Sequence, residues 1–297
     1  MELGGYLIGE RIAVGGMAEV YRAVAQEGDR AGTPVVLKRL LPNHRAEKAF
    51  IESFVEEGKL CVKLRHPNIV RTYKVFKNGL DIFMEQELVD GTTLRALLDR
   101  AFAEGTPLPL PAVLHALVEL CKALDYFHRA RLGDAQASLV HRDVNPANLL
   151  IGRDGTVKLT DFGVAEGEGM GAKKVAGTLR GTLGYMAPEQ VVGRGVDRRS
   201  DLFAVGVILW EAVANRSAFE GESDFAVMEA VRDARIPALR AVVPEAPELL
   251  EKVLRKGLAK DPAHRFQSAL EWQKAIAMLK AIGAEPDAAG LAALVDG

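Results

Sequence analysis

The chain reads as an α+β protein in two parts: a five-stranded antiparallel sheet with one helix, followed by a longer, mainly helical region. Three observations predict this. Over roughly the first ninety residues, short runs alternate apolar and polar side chains between glycine-containing turns, as half-buried strands require. From Leu94 onward, apolar residues recur at the helical spacing. Within that second region, PAVLHALVELCKALDYFHRA (111–130) and SDLFAVGVILWEAVAN (200–215) are apolar on most faces, so each is expected at the centre of a core.

The elements follow in order. YLIGERIAV and EVYRAVAQ flank a glycine-rich turn, and EGDRAG turns the chain into PVVLKRLL. AEKAFIESFVEEGKLCVKL places Phe50, Phe54, Leu60 and Leu64 at helical intervals. IVRTYKVF and DIFMEQEL are strands around Asn78-Gly79, a type I′ hairpin signal. A short link near Val89–Gly91 leads into LRALLDRAFAEG, a helix ended by Gly105 and Pro107. RLGDAQAS is a polar loop between the central helix and the motif region. DFAVMEAVRDA, PELLEKVLRKGLA and SALEWQKAIAMLKAIG are amphipathic helices, and the tail AEPDAAGLAALVDG is weakly structured at best, a linker start or a docking helix. The expected boundaries are 1–88 for the sheet-rich part, 89–282 for the helical part and 283–297 for the tail. A cleft between the two parts is where a ligand is expected.

Composition narrows the class. The 297 residues are 48% hydrophobic and 26% charged with a net charge of −2, an ordinary globular balance. No basic excess points to nucleic acid or to an anionic membrane. No apolar run reaches the roughly 20 residues of a membrane span, and the N-terminus lacks the pattern of a signal peptide, so a cytoplasmic location is expected. Cys61 and Cys121, the two cysteines, sit in helical patterns without metal-ligand spacing and are expected to be reduced, buried thiols.

The chemistry concentrates in 139-LVHRDVNPANLLIGRDGTVKLTDFG-163, with AVGGMAEV (13–20), VVLK (35–38), GTLGYMAPEQ (181–190) and DPAHRF (261–266) in supporting places. Together these stretches resemble a bacterial eukaryotic-type serine/threonine protein kinase, from about Tyr6 to about Ile282. HRD and DFG occur together, eighteen residues apart with a hairpin between, which makes the resemblance specific. It implies the bilobal protein-kinase fold, ATP and Mg²⁺ as cofactors, and a protein substrate. Phosphoryl transfer needs the phosphates gripped, a metal placed, charge spread and a hydroxyl aligned, and the resemblance assigns each task. Ala13, Val14, Gly15, Gly16 and Val20 form the phosphate-covering turn. Lys38 orients phosphate and pairs with Glu57, nine residues before His66; Glu56 is its rival, about 100° around the helix. Val36 roofs the purine slot, Leu150 floors it, Glu87 and Val89 supply hinge hydrogen bonds, and Gln86 guards the back. Asp143 orients the substrate hydroxyl as base, His141 is structural, and Asn148 and Asp161 hold Mg²⁺. Arg142 is expected to bind a phosphate on the activation segment. Thr182 touches Asp143, Glu189 pairs with Arg265, and Asp201 caps the catalytic-loop backbone. Thr178 is either an autophosphorylation site, near Arg142, Lys173 and Lys174, or a solvated loop residue.

Several positions depart from the family pattern. Asn145 stands where a lysine contacts the transferred phosphate, and restoring it as Asn145→Lys is expected to raise kcat by ~10-fold or more. Two alternatives stay open: Asn145 bonds to Thr182 or Asp143 and holds the loop, so that a lysine misplaces Asp143, or the narrowed roof at Val36 limits nucleotide entry and Val36→Ala is the activating change. Val36 narrows the roof, and Ala13 and Ala18 replace two glycines. The spread HRDVNPAN, the PLPLP entry (107–111) and the inserted RLGDAQAS resemble a myxobacterial subgroup with a polar residue in place of that lysine. The expected activity is an ATP- and Mg²⁺-dependent protein serine/threonine kinase of bacterial signalling. The alternatives are a pseudokinase scaffold that regulates a partner and a small-molecule phosphotransferase, the latter disfavoured by the peptide platform GTLGYMAPEQ. Expected partners are an unidentified protein substrate and a regulatory protein or second copy of the chain.

Overall fold

A computed structural model describes residues 2–131, 139–162 and 183–296. They form two compact units, which part between Val89 and Asp90. All of the expected loop 131–138 but its first residue, and the segment 163–182, lie outside the described residues.

The first unit is an antiparallel sheet of the five expected strands, extended by a two-residue edge. Its strands are β1 (Glu2–Leu3), β2 (Tyr6–Val14), β3 (Ala18–Ala25), β4 (Pro34–Leu40), β5 (Thr72–Asn78) and β6 (Asp81–Glu87), in the spatial order β1-β2-β3-β4-β6-β5. Residues directly opposite in an antiparallel ladder share a face. The register Ala13↔Val20↔Lys38↔Met84 therefore puts these four on one face, joined by Val36 and Gln86. The other face carries Tyr6, Ala23, Ala25, Val35, Leu37 and Phe83 as one apolar cluster. Helix α1 (Lys48–Lys63) lies on the Lys38 face, where Phe54 packs with Ala18, Leu40 and Met84. It comes close because Gly58 has no side chain: a Cβ there would overlap Val75 Cγ2. The β5–β6 turn differs from the expected one by a residue. Asn78 stays in the ladder opposite Asp81, and Gly79 and Leu80 make the turn. Gly79 has a φ of +59° at the first central position, as a type II′ turn demands.

The second unit begins with β7 (Gly91–Thr93), which pairs with β8 (Leu149–Gly152), itself paired with β9 (Val157–Leu159). Helix α2 (Leu94–Glu104) starts at Thr93, whose side chain accepts from Ala96 N–H, and ends at Gly105 in the left-handed conformation. Helix α3 (Leu110–Arg129) buries eleven of its residues. After it come α4 (Pro188–Val192), α5 (Arg198–Ala214), α6 (Asp224–Arg232), α7 (Leu239–Val242), α8 (Glu248–Gly257), α9 (Ala269–Met278) and α10 (Ala288–Asp296). Helix α5 is buried at every position from Ser200 to Ala212, as its unbroken apolar run requires. The short helices α4 and α7 carry too few residues for a periodic signal.

The tail corrects the expectation of weak structure. Residues 288–296 form α10, which packs on α3 and β8. Leu291 is buried, Asp287 N–H donates to Pro111 O at 3.0 Å, and Arg153 pairs with Asp296. Its run of alanine and leucine is a good helix former but offers one buried anchor, so docking rather than periodicity decides its state.

Candidate functional site

In the first unit, the β4 register points Lys38 under α1. Its Nζ donates to Glu57 Oε1 at 2.9 Å, and both residues are 9% exposed. Glu56, one residue away, is exposed. Burial makes this pair sensitive to its partner: removing either charge strands the other in a poorly solvated place. Ala13, Val20 and Val36 share the Lys38 face. Val14, Gly15 and Gly16 lie in an exposed turn closed by Gly15 N–H to Ala18 O at 2.8 Å. His44 reaches this turn from outside the expected set. It stacks on Phe50 at 3.9 Å between ring centroids, and one ring nitrogen lies 3.1 Å from Gly16 O. At the strand end, Gln86 Nε2 donates to Thr72 Oγ1 at 3.2 Å, so the buried amide is already engaged. Glu87 N–H donates to Arg71 O, and its side chain accepts from Arg71 N–H at 2.7 Å. Val89 closes this unit, half-buried.

In the second unit, Asp201 organises the catalytic loop. Its Oδ2 accepts from His141 N–H and its Oδ1 from Arg142 N–H, both at 2.8 Å. These bonds hold Arg142 in the left-handed region, with φ +67°, where a non-glycine residue costs about 1–3 kcal/mol. Arg142 O also accepts from Gln190 Nε2 at 2.9 Å. His141 is fully buried between Phe127 and Phe162. One ring nitrogen faces Thr160 O, and Nδ1 accepts from Asp143 N–H at 3.3 Å. Burial holds this imidazole below its usual range, against the pull of Asp201, Asp143 and Asp161.

Asp143 is held by two amides. Asn145 Nδ2 donates to its Oδ1 at 2.9 Å, and Asn148 Nδ2 donates to its Oδ2 at 3.1 Å. The β8–β9 hairpin pairs Leu149 with Leu159, and Thr160 N–H donates to Asn148 O. The register thus sets residue 148 across from residue 160, next to Asp161, whose φ is +59°. With its Nδ2 spent on Asp143, Asn148 has Oδ1 to offer a cation. One amide oxygen and one carboxylate form a hard donor set that fits Mg²⁺, an ion that relies on phosphate oxygens and water for the rest of its shell. In keeping with so sparse a set, the described residues contain no group of three or more His, Cys, Asp or Glu that could hold a metal alone. Leu150, half-buried in β8, lies opposite Thr93 and Lys158.

Glu189 and Arg265 meet in a bidentate pair at 2.7 and 2.8 Å, with Arg265 1% exposed. Ser200 Oγ donates to Glu189 Oε1 at 2.7 Å, and Arg265 also donates to the Ala259, Lys260 and Arg199 carbonyls. The pair is therefore a satisfied buried network rather than a surface salt bridge. Ser200 and Gln190 were not among the expected residues, nor was His128, whose Nε2 lies 2.7 Å from Asp201 Oδ2. A histidine on the apolar face of α3 was the available signal, since a buried imidazole needs a polar partner. Gly163, Lys173, Lys174, Thr178 and Thr182 lie outside the described residues.

Comparison with known proteins agrees with this layout. The protein kinase domain family matches residues 6–275. The tyrosine-protein kinase MasK of Myxococcus xanthus is 36% identical over 268 residues, covering 90% of this chain and 41% of MasK. The serine/threonine-protein kinase PknL of Mycobacterium tuberculosis is 34% identical over 265 residues, 89% of this chain and 63% of PknL. PrkC of Bacillus subtilis, also a serine/threonine-protein kinase by name, is 32% identical over 90% of this chain and 39% of its own length. The chain thus spans between about two fifths and just under two thirds of these relatives. Among solved structures, the PknI kinase domain of Mycobacterium tuberculosis, crystallised as a cysteine-to-alanine mutant, aligns with a TM-score of 0.70 at 26% identity, covering 94% of this chain and 97% of that one. Sheet, helices, motif order and these relatives lead to one conclusion: the chain belongs to the protein kinase domain family.

Proposed function

We propose that this domain is an ATP- and Mg²⁺-dependent protein serine/threonine kinase that acts in the bacterial cytoplasm. The observation that carries the reading is the Lys38–Glu57 pair, formed at 2.9 Å and largely buried. A phosphate-orienting lysine must be held in one position, and this buried partner holds it. In this reading Lys38 binds ATP phosphates, the Ala13–Val20 turn covers them, and Val36, Leu150, Gln86, Glu87 and Val89 receive the purine. Mg²⁺, held by Asn148 and Asp161, would neutralise phosphate charge. Asp143 takes a hydrogen bond from the substrate hydroxyl and aligns it with the γ-phosphate, and the chain around Glu189 presents the protein substrate. The MasK name supports tyrosine as a second acceptor, and the position expected to set acceptor preference is Thr182.

The test is transfer of labelled phosphate from ATP with and without Mg²⁺, followed by phosphoamino-acid analysis. The expected result is Mg²⁺-dependent phosphoserine or phosphothreonine. Asp143→Asn should lose transfer by roughly 10²-fold or more while ATP affinity stays near wild type, because the base acts on the hydroxyl. Wild-type protein that neither binds nor turns over ATP would leave the scaffold reading, and phosphotyrosine alone would move the acceptor class.

A further inference from the structure

Asn145 is 4% exposed, and its side chain is used at both ends. Oδ1 accepts from Ala147 N–H at 2.9 Å and Asn148 N–H at 3.3 Å, capping the tight helical turn Pro146–Asn148. Nδ2 donates to the Asp143 carboxylate at 2.9 Å and to the Asp143 carbonyl at 3.1 Å. A lysine offers three donors and no acceptor. It could reach Asp143 but could not cap the turn that carries Asn148.

We propose that Asn145 is a positioning residue that latches Asp143 to the turn bearing Asn148, so that one amide fixes both the hydroxyl-orienting carboxylate and the metal-facing amide. This deepens the kinase reading and rests on it for its catalytic consequence. The Asp143 carboxylate accepts from Asn145 on Oδ1 and from Asn148 on Oδ2. Two bonds from two directions restrict rotation about the carboxylate, where a single bond would leave a swing. Because the oxygen of the same Asn145 amide accepts from Asn148 N–H, a displacement of Asn145 moves both partners together. Catalytic geometry tolerates little such movement: a misplacement of about 1 Å can cost ~10²-fold in rate. The asparagine therefore replaces a phosphate-contacting charge with a rigid support, and the expectation that a restored lysine raises kcat is reversed.

Two variants test this. Asn145→Asp keeps the capping oxygen and turns the donor nitrogen into an oxygen, so that a second carboxylate faces Asp143. Two carboxylates in contact share a proton, so the acid limb of the kcat–pH profile should move up by about one pH unit or more. At neutral pH kcat should fall ~10-fold or more, with KM for ATP little changed. Carbon-13 NMR titration of the Asp143 carboxylate in nucleotide-free protein should show the same upward shift, a readout that needs no turnover. Asn145→Lys should lower kcat. An Asp143 titration unchanged in Asn145→Asp, or a kcat that rises in Asn145→Lys, would overturn the latch. Absence of transfer by wild type would defeat the kinase reading alone, because the NMR titration still decides whether Asn145 holds Asp143.

Discussion

At the scale of single residues, the two units are each built around charges that have been taken out of water and given fixed partners. Lys38 has Glu57, Arg265 has Glu189, and Asp201 has two backbone amides and a histidine. His141 is the opposite case, a titratable group kept neutral. Its Nδ1 accepts from Asp143 N–H, so a proton there would set donor against donor. Because burial lowers its folded pKa, the unfolded chain takes up this proton first, at a pH near about 6.5. The stability His141 contributes is therefore whole above that pH and is lost as pH falls through the window below it. Thermal unfolding midpoints measured between pH 7 and pH 5 should drop, and the drop should be smaller in His141→Asn. Parallel curves for the two proteins would remove His141 as the cause. Much at this scale was legible in sequence, because HRD, DFG and the spacing of Glu57 from His66 are local strings. The Asn145 latch was open only as one of several alternatives, since an amide in a loop looks the same whether it faces phosphate or its own neighbours.

At the scale of elements, close approach counts for more than propensity. A reading of α1 by helix propensity alone would have Gly58→Ala stabilise the helix by about 1 kcal/mol. The structure reverses the sign. The added methyl would overlap Val75 Cγ2, a short and stiff side chain with little room to turn, and crowd Met84. Overpacking of this kind costs roughly 1–3 kcal/mol. Urea unfolding of Gly58→Ala should show a lower midpoint than wild type, and a higher midpoint would mean that β5 moves away easily. Gly257 in α8 stands in a similar relation to Trp272 in α9. Such contacts explain why strands and helices could be expected from period while their packing could not. A glycine inside a helical pattern announces a weakness, and only the partner element turns it into a requirement. The hairpin turn slipped by one residue for a related reason. Asn78-Gly79 carries the signal for a type I′ turn, but keeping Asn78 paired with Asp81 preserves a ladder position.

For the whole molecule, the two-part α+β reading came from the change of hydrophobic period near Leu94, a signal spread over so many residues that no single one could mislead it. The tail shows the reverse: α10 holds one buried anchor, Leu291, and its order comes from α3, β8 and Arg153, all remote in sequence. The centre of the second unit has a further consequence, for hydrogen exchange. Loop amides ordinarily exchange through small local openings. The amides of His141 and Arg142 are bonded instead to Asp201, in the first turn of a helix buried without a break as far as Ala212. They can meet solvent only when that end of α5 comes loose, so deuterium should enter them as slowly as it enters the core of α5 itself. Two loop protons would then keep time for the deepest helix in the unit. Fast exchange at 141 and 142 beside slow exchange in α5 would show that the loop opens while the helix stays shut.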